Sequence, residues 1–155
     1  MTYAISGLPL DDFRPLFGLS DADLAARGIL RQTADAKPGY PCRITLKDAE
    51  PGDTLLLLNF ESHSADTPYR SAYAIFVNER AVETLITVDT LPPVFENRPI
   101  ALRIFDAAGM LIDANLARGE AVDAAIRAAF EEPSAAYIHA HNAAHGCYAA
   151  RIDRA

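Results

Sequence analysis

Two alternating segments near the C-terminal end place the tightest constraint on the fold of this chain. In Ala135–His141, alanine and isoleucine occupy the even positions, while Tyr137, His139 and His141 occupy odd ones. In Cys147–Ile152 the even positions are again the more apolar set. Because side chains alternate between the two faces of a strand, this pattern predicts a β-hairpin with one core face and one polar face.

The loop length of this hairpin decides which side chains join the histidines. If the apolar sets of both strands face the core, His141 lies opposite Cys147 across a five-residue loop. A four-residue loop instead places Tyr148 beside the histidines and Cys147 on the opposite face. The apolar pattern favours the five-residue loop. The odd positions then share one surface, which carries Tyr137, His139, His141, Cys147 and Arg151.

Two helices are predicted upstream of the hairpin. Ser20 followed by Asp23 is typical of a helix N-terminal cap and Gly28 of a helix end, so we expect a helix over Asp21–Arg27. Apolar residues at helical spacing predict a second helix over Glu120–Glu131, with acidic residues near its start.

The remaining apolar segments are typical of strands. Leu55–Leu58 does not alternate, which predicts a central strand covered on both faces. Residues Ala81–Val88 fit a helical turn or a strand, and β-propensity favours the strand. Gln32–Pro41 is predicted to be a loop, and Tyr3–Leu8 an edge strand. Further strands are expected at Arg43–Leu46, Thr54–Phe60, Ser71–Val77, Ile100–Phe105 and Met110–Asn115.

This order of elements defines the expected fold class. A helix, several strands, a helix and two strands predict an α+β domain, with a largely antiparallel sheet of about six to eight strands and two main helices packed on it. With 155 residues, half of them hydrophobic, we expect residues 1–155 to form a single domain.

The charge and the cysteine content define the expected partners and compartment. A net charge of -7, from 14 basic and 21 acidic residues, repels phosphate backbones and anionic lipid, which argues against nucleic-acid or membrane binding. Two cysteines are too few for a disulfide framework, and Met1–Leu10 does not resemble a signal peptide. These features predict a soluble cytoplasmic protein.

His139 and His141 face the same side of one predicted strand. With Cys147 they form a candidate site for zinc or a similar metal, although no further motif completes it. The favoured alternative is that both imidazoles form hydrogen bonds within a half-buried sheet face. Cys147 beside a histidine is also a candidate nucleophile, since imidazolium favours the thiolate, or else a small buried apolar residue. His63, in a polar loop with Asp66, is a candidate general base or a solvated side chain.

Several separated motifs occur along the chain. They are Gly39-Tyr-Pro-Cys-Arg43, Asp48-Ala-Glu-Pro-Gly52, Pro68-Tyr-Arg70, Ile75-Phe-Val77, His139-Ala-His-Asn142 and Gly146-Cys-Tyr148. In this order they resemble the bacterial domain of unknown function 1203, from about Gly28 to Arg154. The resemblance implies that the whole chain is one such domain, without implying an activity. It adds Cys42 and Arg43, with Tyr69 and Arg70, as candidate neighbours of the histidine hairpin.

The leading hypothesis is binding of a small anionic molecule. Arginines in the pocket would supply charge-assisted hydrogen bonds, and histidines would supply titratable donors or acceptors. The residues expected to line it are Arg43, Arg70, His139, His141 and Cys147. One alternative is a hydrolase or transferase that uses Cys147 or a bound metal. Another is a protein-interaction domain without catalysis, which pairs through an exposed sheet edge or apolar patch. The sequence identifies no cofactor and does not decide whether the protein is an enzyme.

Overall fold

Nine strands and three α-helices form the chain in a computed structural model, which describes residues 1–155. The helices α1 to α3 are Leu10–Phe13, Asp21–Ala25 and Ala121–Ala129. The strands β1 to β9 are Tyr3–Ser6, Leu30–Thr33, Thr54–His63, Ser71–Asn78, Ile86–Val88, Pro99–Phe105, Leu111–Arg118, Tyr137–Asn142 and Tyr148–Arg154. The predicted α+β class is confirmed.

The strands divide between two antiparallel sheets. The larger sheet has the order β5-β1-β9-β8-β6-β7, and the smaller has the order β2-β3-β4. The Leu55–Leu58 run lies in β3, at the centre of the smaller sheet, as predicted. The sequence predicts β1 at the edge of a sheet, but it pairs with β9 on one side and with β5 on the other, so it is not an edge strand. None of the helices has the length and apolar character that crossing a membrane requires.

The first hydrophobic core lies between α3 and the larger sheet. Val122 and Ile126, four positions apart on α3, are fully buried there, as the apolar stripe predicts. The apolar residues at even positions of β6 and β8 belong to the same core, among them Leu102 and Ile138. Each such buried aliphatic side chain contributes about 1.5–3 kcal/mol of transfer free energy. This core therefore fixes which face of the β8–β9 hairpin points away from α3.

The second hydrophobic core joins the smaller sheet to the two N-terminal helices. Leu24 of α2 is fully buried in it, together with Leu56 of β3. α2 begins where the sequence indicates, because the Ser20 Oγ accepts a hydrogen bond of 3.1 Å from the backbone N–H of Asp23. Tyr148 of β9 also belongs to this core. The polar face of the hairpin therefore meets the smaller sheet.

Two segments differ from the sequence-based predictions. Arg43–Leu46, predicted as a strand, is a tight turn, because the Leu46 N–H bonds to the Cys42 carbonyl at 3.0 Å and Leu46 has a φ of 49°. Local backbone hydrogen bonding here outweighs the β-propensity of the side chains. The start of the predicted loop Gln32–Pro41 is instead the end of β2, which pairs with β3.

Candidate functional site

The loop end of the β8–β9 hairpin has the shorter of the two connections that the sequence allows. The Asn142 N–H bonds to the Cys147 carbonyl at 2.9 Å, so the loop has the four residues 143–146. His141 therefore pairs with Tyr148. The prediction that Cys147 lies opposite His141 is wrong, because the tighter connection shifts the register by one residue.

A β-bulge restores the expected register along the rest of the hairpin. His141 pairs with Tyr148 but Ala140 pairs with Ala150, so residue 149 is the extra residue of the bulge. Beyond the bulge, His139 pairs with Arg151, so odd-numbered residues face each other as the apolar pattern predicts. The hairpin thus contains both registers, one on each side of the bulge.

The histidines lie in an aromatic cluster between the two sheets. His139 and His141, with ring centroids 6.4 Å apart, both contact the Tyr148 ring edge-on. His63, at the end of β3, stacks on Phe105 with the ring centroids 4.3 Å apart. It is buried in a strand, and so it is not the solvated loop residue that the sequence indicates. The cluster is a packed contact between the sheets.

Burial keeps two of these imidazoles neutral. Desolvation, with smaller contributions from the charges of His141 and Arg151, lowers the pKa of His139 to about 3. Desolvation also lowers the pKa of His141 to about 4, although a hydrogen bond of 2.9 Å between its Nδ1 and the Gly146 carbonyl acts in the opposite direction. Because a carbonyl oxygen only accepts, the His141 Nδ1 carries a proton and donates it. His139 and His141 are therefore uncharged at neutral pH.

A cavity of about 450 Å³ lies on the other side of the hairpin loop. It separates the loop from the face of β3 and β4 that carries Leu57 and Phe76. Half of its lining residues are hydrophobic, and its polar residues include Arg43 and Cys147, which contact each other. The volume is within the range of small-molecule sites. The 14 lining residues are Gly39, Pro41, Arg43, Leu57, Tyr73, Ala74, Phe76, Arg98, Pro99, Asn142, Ala143, Ala144, His145 and Cys147.

Arg43 is the buried cation of this cavity. Only 2% of the residue is exposed, and its guanidinium donates to the carbonyls of Pro41 and Tyr148 and to the Cys147 Sγ, at 3.0 Å for the sulfur. No carboxylate forms an ion pair with it. Burial lowers the pKa of Arg43, while Cys147 and Cys42 act to raise it. A guanidinium has five N–H groups, so two remain beyond these three hydrogen bonds.

The turn that carries Arg43 is held by segments distant in sequence. The Arg43 N–H bonds to the Phe76 carbonyl of β4 at 3.0 Å, and the Arg43 carbonyl accepts from the Leu8 N–H at 2.7 Å. Gly7 makes this approach between the chains feasible, because a Cβ at this position would collide with the Ile44 carbonyl oxygen. These contacts fix the position of the guanidinium.

Cys147 and Asn142 lie together at the cavity wall. The Asn142 Nδ2 donates to the Cys147 Sγ at 3.4 Å, and the Asn142 Oδ1 is buried without a hydrogen-bond partner. Asn142 is 6% exposed and Cys147 is 8% exposed. The sulfur thus receives hydrogen bonds from an amide and from a guanidinium.

Arg98 is a second cavity arginine whose charge is already paired. It forms two hydrogen bonds with Asp48, of 2.6 and 2.8 Å, in the bidentate geometry of guanidinium and carboxylate. Burial opposes ionisation of Asp48, but the hydrogen bonds from Arg98 and from a backbone N–H outweigh it, so the pKa of Asp48 is lowered. Arg43 is thus the cavity arginine without a carboxylate partner.

Most of the chain matches the model of one known protein family. The model of a family described as a protein of unknown function, DUF1203, matches residues 39–154. The chain belongs to the DUF1203 family. Every residue that lines the cavity lies within the matched region of this DUF1203 chain, whereas β1, α1, α2 and β2 precede it. No curated protein and no solved structure matches.

The structure brings some of the candidate residues together and separates others. Arg43 and Cys147 meet at the cavity, whereas His139 and His141 lie in the neighbouring cluster between the sheets and do not line it. Arg70 does not line the cavity either, and its side chain pairs with a glutamate of β3 at 2.5 Å. No group of three or more histidine, cysteine, aspartate or glutamate side chains is placed to hold a metal ion.

The cavity residues outside the set predicted from the sequence include Asn142, Arg98 and His145. Asn142 is the last residue of the His139-Ala-His-Asn motif, so its place beside the hairpin loop is the signal that identifies it. The pairing of Arg98 with Asp48 has no comparable local signal, because the two residues are 50 positions apart. His145, in the loop, also lines the cavity.

Proposed function

We propose that this protein binds a small anionic molecule, with a carboxylate or phosphate group, in the cavity beside the β8–β9 loop. The observation that supports this function most strongly is the charge of Arg43. A buried guanidinium without a carboxylate is energetically costly, and an anion that accepts its two remaining N–H groups offsets that cost. Carboxylates and phosphates have the spacing that a bidentate arginine contact requires.

The rest of the cavity defines the body of the ligand. Leu57, Phe76 and Pro41 supply apolar contacts, and Arg98 is unavailable because it is paired with Asp48. An anion with a small apolar or aromatic body matches this lining better than a strongly hydrated polyanion. The net charge of -7 agrees with a single recessed cation as the recognition element, because the protein surface repels large anions.

Thermal melting in the presence of benzoate or inorganic phosphate tests the proposal. A ligand that binds only the folded state stabilises it by about 2.7 kcal/mol at a concentration of about 100 times its Kd. We expect benzoate to raise the melting temperature more than sodium chloride of equal ionic strength does. A melting temperature that depends on ionic strength alone would contradict anion binding.

Two substitutions on β4 provide a matched pair for this experiment. Ala74→Phe places a large side chain in the cavity without removing a hydrogen bond, so the stabilisation by benzoate should be lost. Ala72→Phe adds the same side chain to an exposed position of the same strand that does not line the cavity. This control should respond to benzoate as the wild-type protein does. An equal response of both variants would place the anion elsewhere.

A further inference from the structure

We propose that Cys147 is a nucleophilic thiol that exchanges with small anionic disulfides bound in the cavity. This inference rests on the proposed anion site and assigns it a chemical step. Cys147 lines the cavity, and its Sγ lies 3.0 Å from an Arg43 guanidinium nitrogen. A positive charge next to a sulfur favours the thiolate, which is the form that attacks disulfides.

Asn142 gives independent support for a ligand at this position. Its Oδ1 is buried and has no hydrogen-bond partner, while its Nδ2 contacts the sulfur at 3.4 Å. A buried amide oxygen without a donor is destabilising, because it loses its hydrogen bond to water without replacing it. A ligand that carries an N–H or O–H group in addition to its anionic group would satisfy this oxygen next to the reacting sulfur. The cysteine is therefore part of a set of polar groups rather than an isolated thiol.

The step is a thiol–disulfide exchange. The Cys147 thiol loses its proton to solvent, and the thiolate attacks one sulfur of the bound disulfide. The sulfur–sulfur bond of the disulfide breaks while a mixed disulfide forms on Cys147, and the other half of the reagent leaves as a thiolate. Cys147 is oxidised and the leaving sulfur is reduced, so the disulfide itself is the oxidant. Arg43 attracts the anionic group of the reagent and stabilises the thiolate before the attack.

The second cysteine of the chain is a built-in control. Cys42 is 1% exposed, does not line the cavity, and accepts a hydrogen bond from the Asn78 backbone N–H at 3.2 Å. No guanidinium donates to its sulfur, in contrast to that of Cys147. We therefore expect native protein to react at Cys147 and not at Cys42.

The experiment uses dithiobis(nitrobenzoate), a disulfide with anionic groups, and dithiodipyridine, which is neutral. For the Cys42→Ser variant we expect one equivalent of leaving group from each reagent, the nitrobenzoate thiolate or the neutral thiopyridone, both followed by absorbance. After normalisation to a small unstructured thiol, release from the anionic reagent should be faster by about tenfold. Cys147→Ser should show no fast release. Ala74→Phe, which retains both cysteines, should slow the reaction by about tenfold because it fills the cavity. Ala72→Phe should react as the wild type does.

The outcomes separate this inference from the proposed function. If benzoate stabilises the protein but Cys147 reacts no faster than Cys42, the exchange step is wrong and anion binding stands. If Cys147 reacts equally fast with both reagents and benzoate does not slow it, the anion-directed exchange is wrong. Because Ala74→Phe retains the thiol, its result decides the inference even if Cys147→Ser is too unstable to purify.

Discussion

One side of the β8–β9 hairpin is closed by packed aromatic rings, whereas its loop borders an open cavity. On the closed side, His139 and His141 lie among aromatic side chains and remain neutral. At the cavity, Arg43 is buried without a carboxylate partner. The first surface is filled by protein, and the second has space and unused hydrogen-bond donors.

This difference shows why ionisable residues alone do not locate a ligand site. The histidines are the most conspicuous residues in the sequence, yet the pKa values of His139 and His141 are lowered mainly by desolvation in a packed contact. Perturbed pKa values occur at structural contacts as well as at functional sites. An accessible volume next to an uncompensated charge is the more informative combination.

The largest expected effect concerns the closed side, as a pH dependence of stability. His139 and His141 have folded-state pKa values of about 3 and about 4, below the ordinary value of 6.5. The unfolded chain therefore binds more protons than the folded chain as the pH falls below 6.5. Stability should decrease by about 1.4 kcal/mol per pH unit and per histidine between that value and about pH 4. Urea unfolding at about pH 7, about pH 5.5 and about pH 4.5 measures this slope.

The variant His139→Phe sharpens this result. It keeps a ring among Tyr137, Phe105 and Tyr148 but removes one titrating group. The slope of stability against pH should fall to roughly half of the wild-type value. Benzoate binding at neutral pH should persist. A variant with the full wild-type slope would show that His139 is not one of the groups that destabilise the protein in acid.

The second effect concerns removal of the charge at the cavity. Arg43→Met leaves the carbonyls of Pro41 and Tyr148 buried without this donor, so the free energy of unfolding should decrease by about 3 kcal/mol. The stabilisation by benzoate should be lost as well. Arg70→Met is the matched control, because Arg70 forms an exposed ion pair and should contribute less than about 1 kcal/mol. Urea unfolding with and without benzoate measures both quantities. Undiminished benzoate stabilisation in Arg43→Met would overturn the role of this guanidinium.

The smallest effect tests whether the two sides are independent. Tyr137→Phe removes the hydroxyl that shares a 2.8 Å hydrogen bond with the His63 Nε2, at a cost of about 1 kcal/mol. The ring stays in place beneath Arg151, whose guanidinium carbon lies 4.1 Å from the ring centroid. Calorimetric titration with benzoate should give the wild-type affinity. A changed affinity would mean that the two sides of the hairpin are energetically coupled.

Local sequence patterns are sufficient to predict the elements whose contacts are local. The apolar stripe of α3 follows from helical spacing. Asp106 and Gly109, at the two ends of the connection between β6 and β7, favour a type I turn, and the Gly109 N–H donates to the Asp106 carbonyl at 3.1 Å. The division into two sheets cannot be predicted from local sequence patterns, because it depends on pairings between strands distant in sequence, such as β1 with β9. Sequence patterns specify a strand more readily than its partner.

For the candidate site, the sequence likewise predicts some of the residues but not how they are arranged in space. The sequence identifies both Arg43 and Cys147, but the four-residue loop and the bulge beyond it separate Cys147 from the histidines. The family resemblance groups Arg70 with Arg43, because Arg43 begins one predicted strand and Arg70 precedes another. In the structure, Arg70 lies at the far end of the β3–β4 hairpin from Phe76, and that distance is roughly 20 Å at the rise of a strand. Only the three-dimensional pairing distinguishes the two arginines.

The close approach of Gly7 to Ile44 determines how much of the chain a fragment needs in order to retain the cavity. The family match begins at residue 39, but the turn that carries Arg43 is held by a hydrogen bond from Leu8. A fragment cut at the family boundary would therefore contain every cavity residue and still lack the support that holds the guanidinium in place. We therefore expect a fragment that keeps the cavity in its native shape to include Gly7 and Leu8, which directly follow β1.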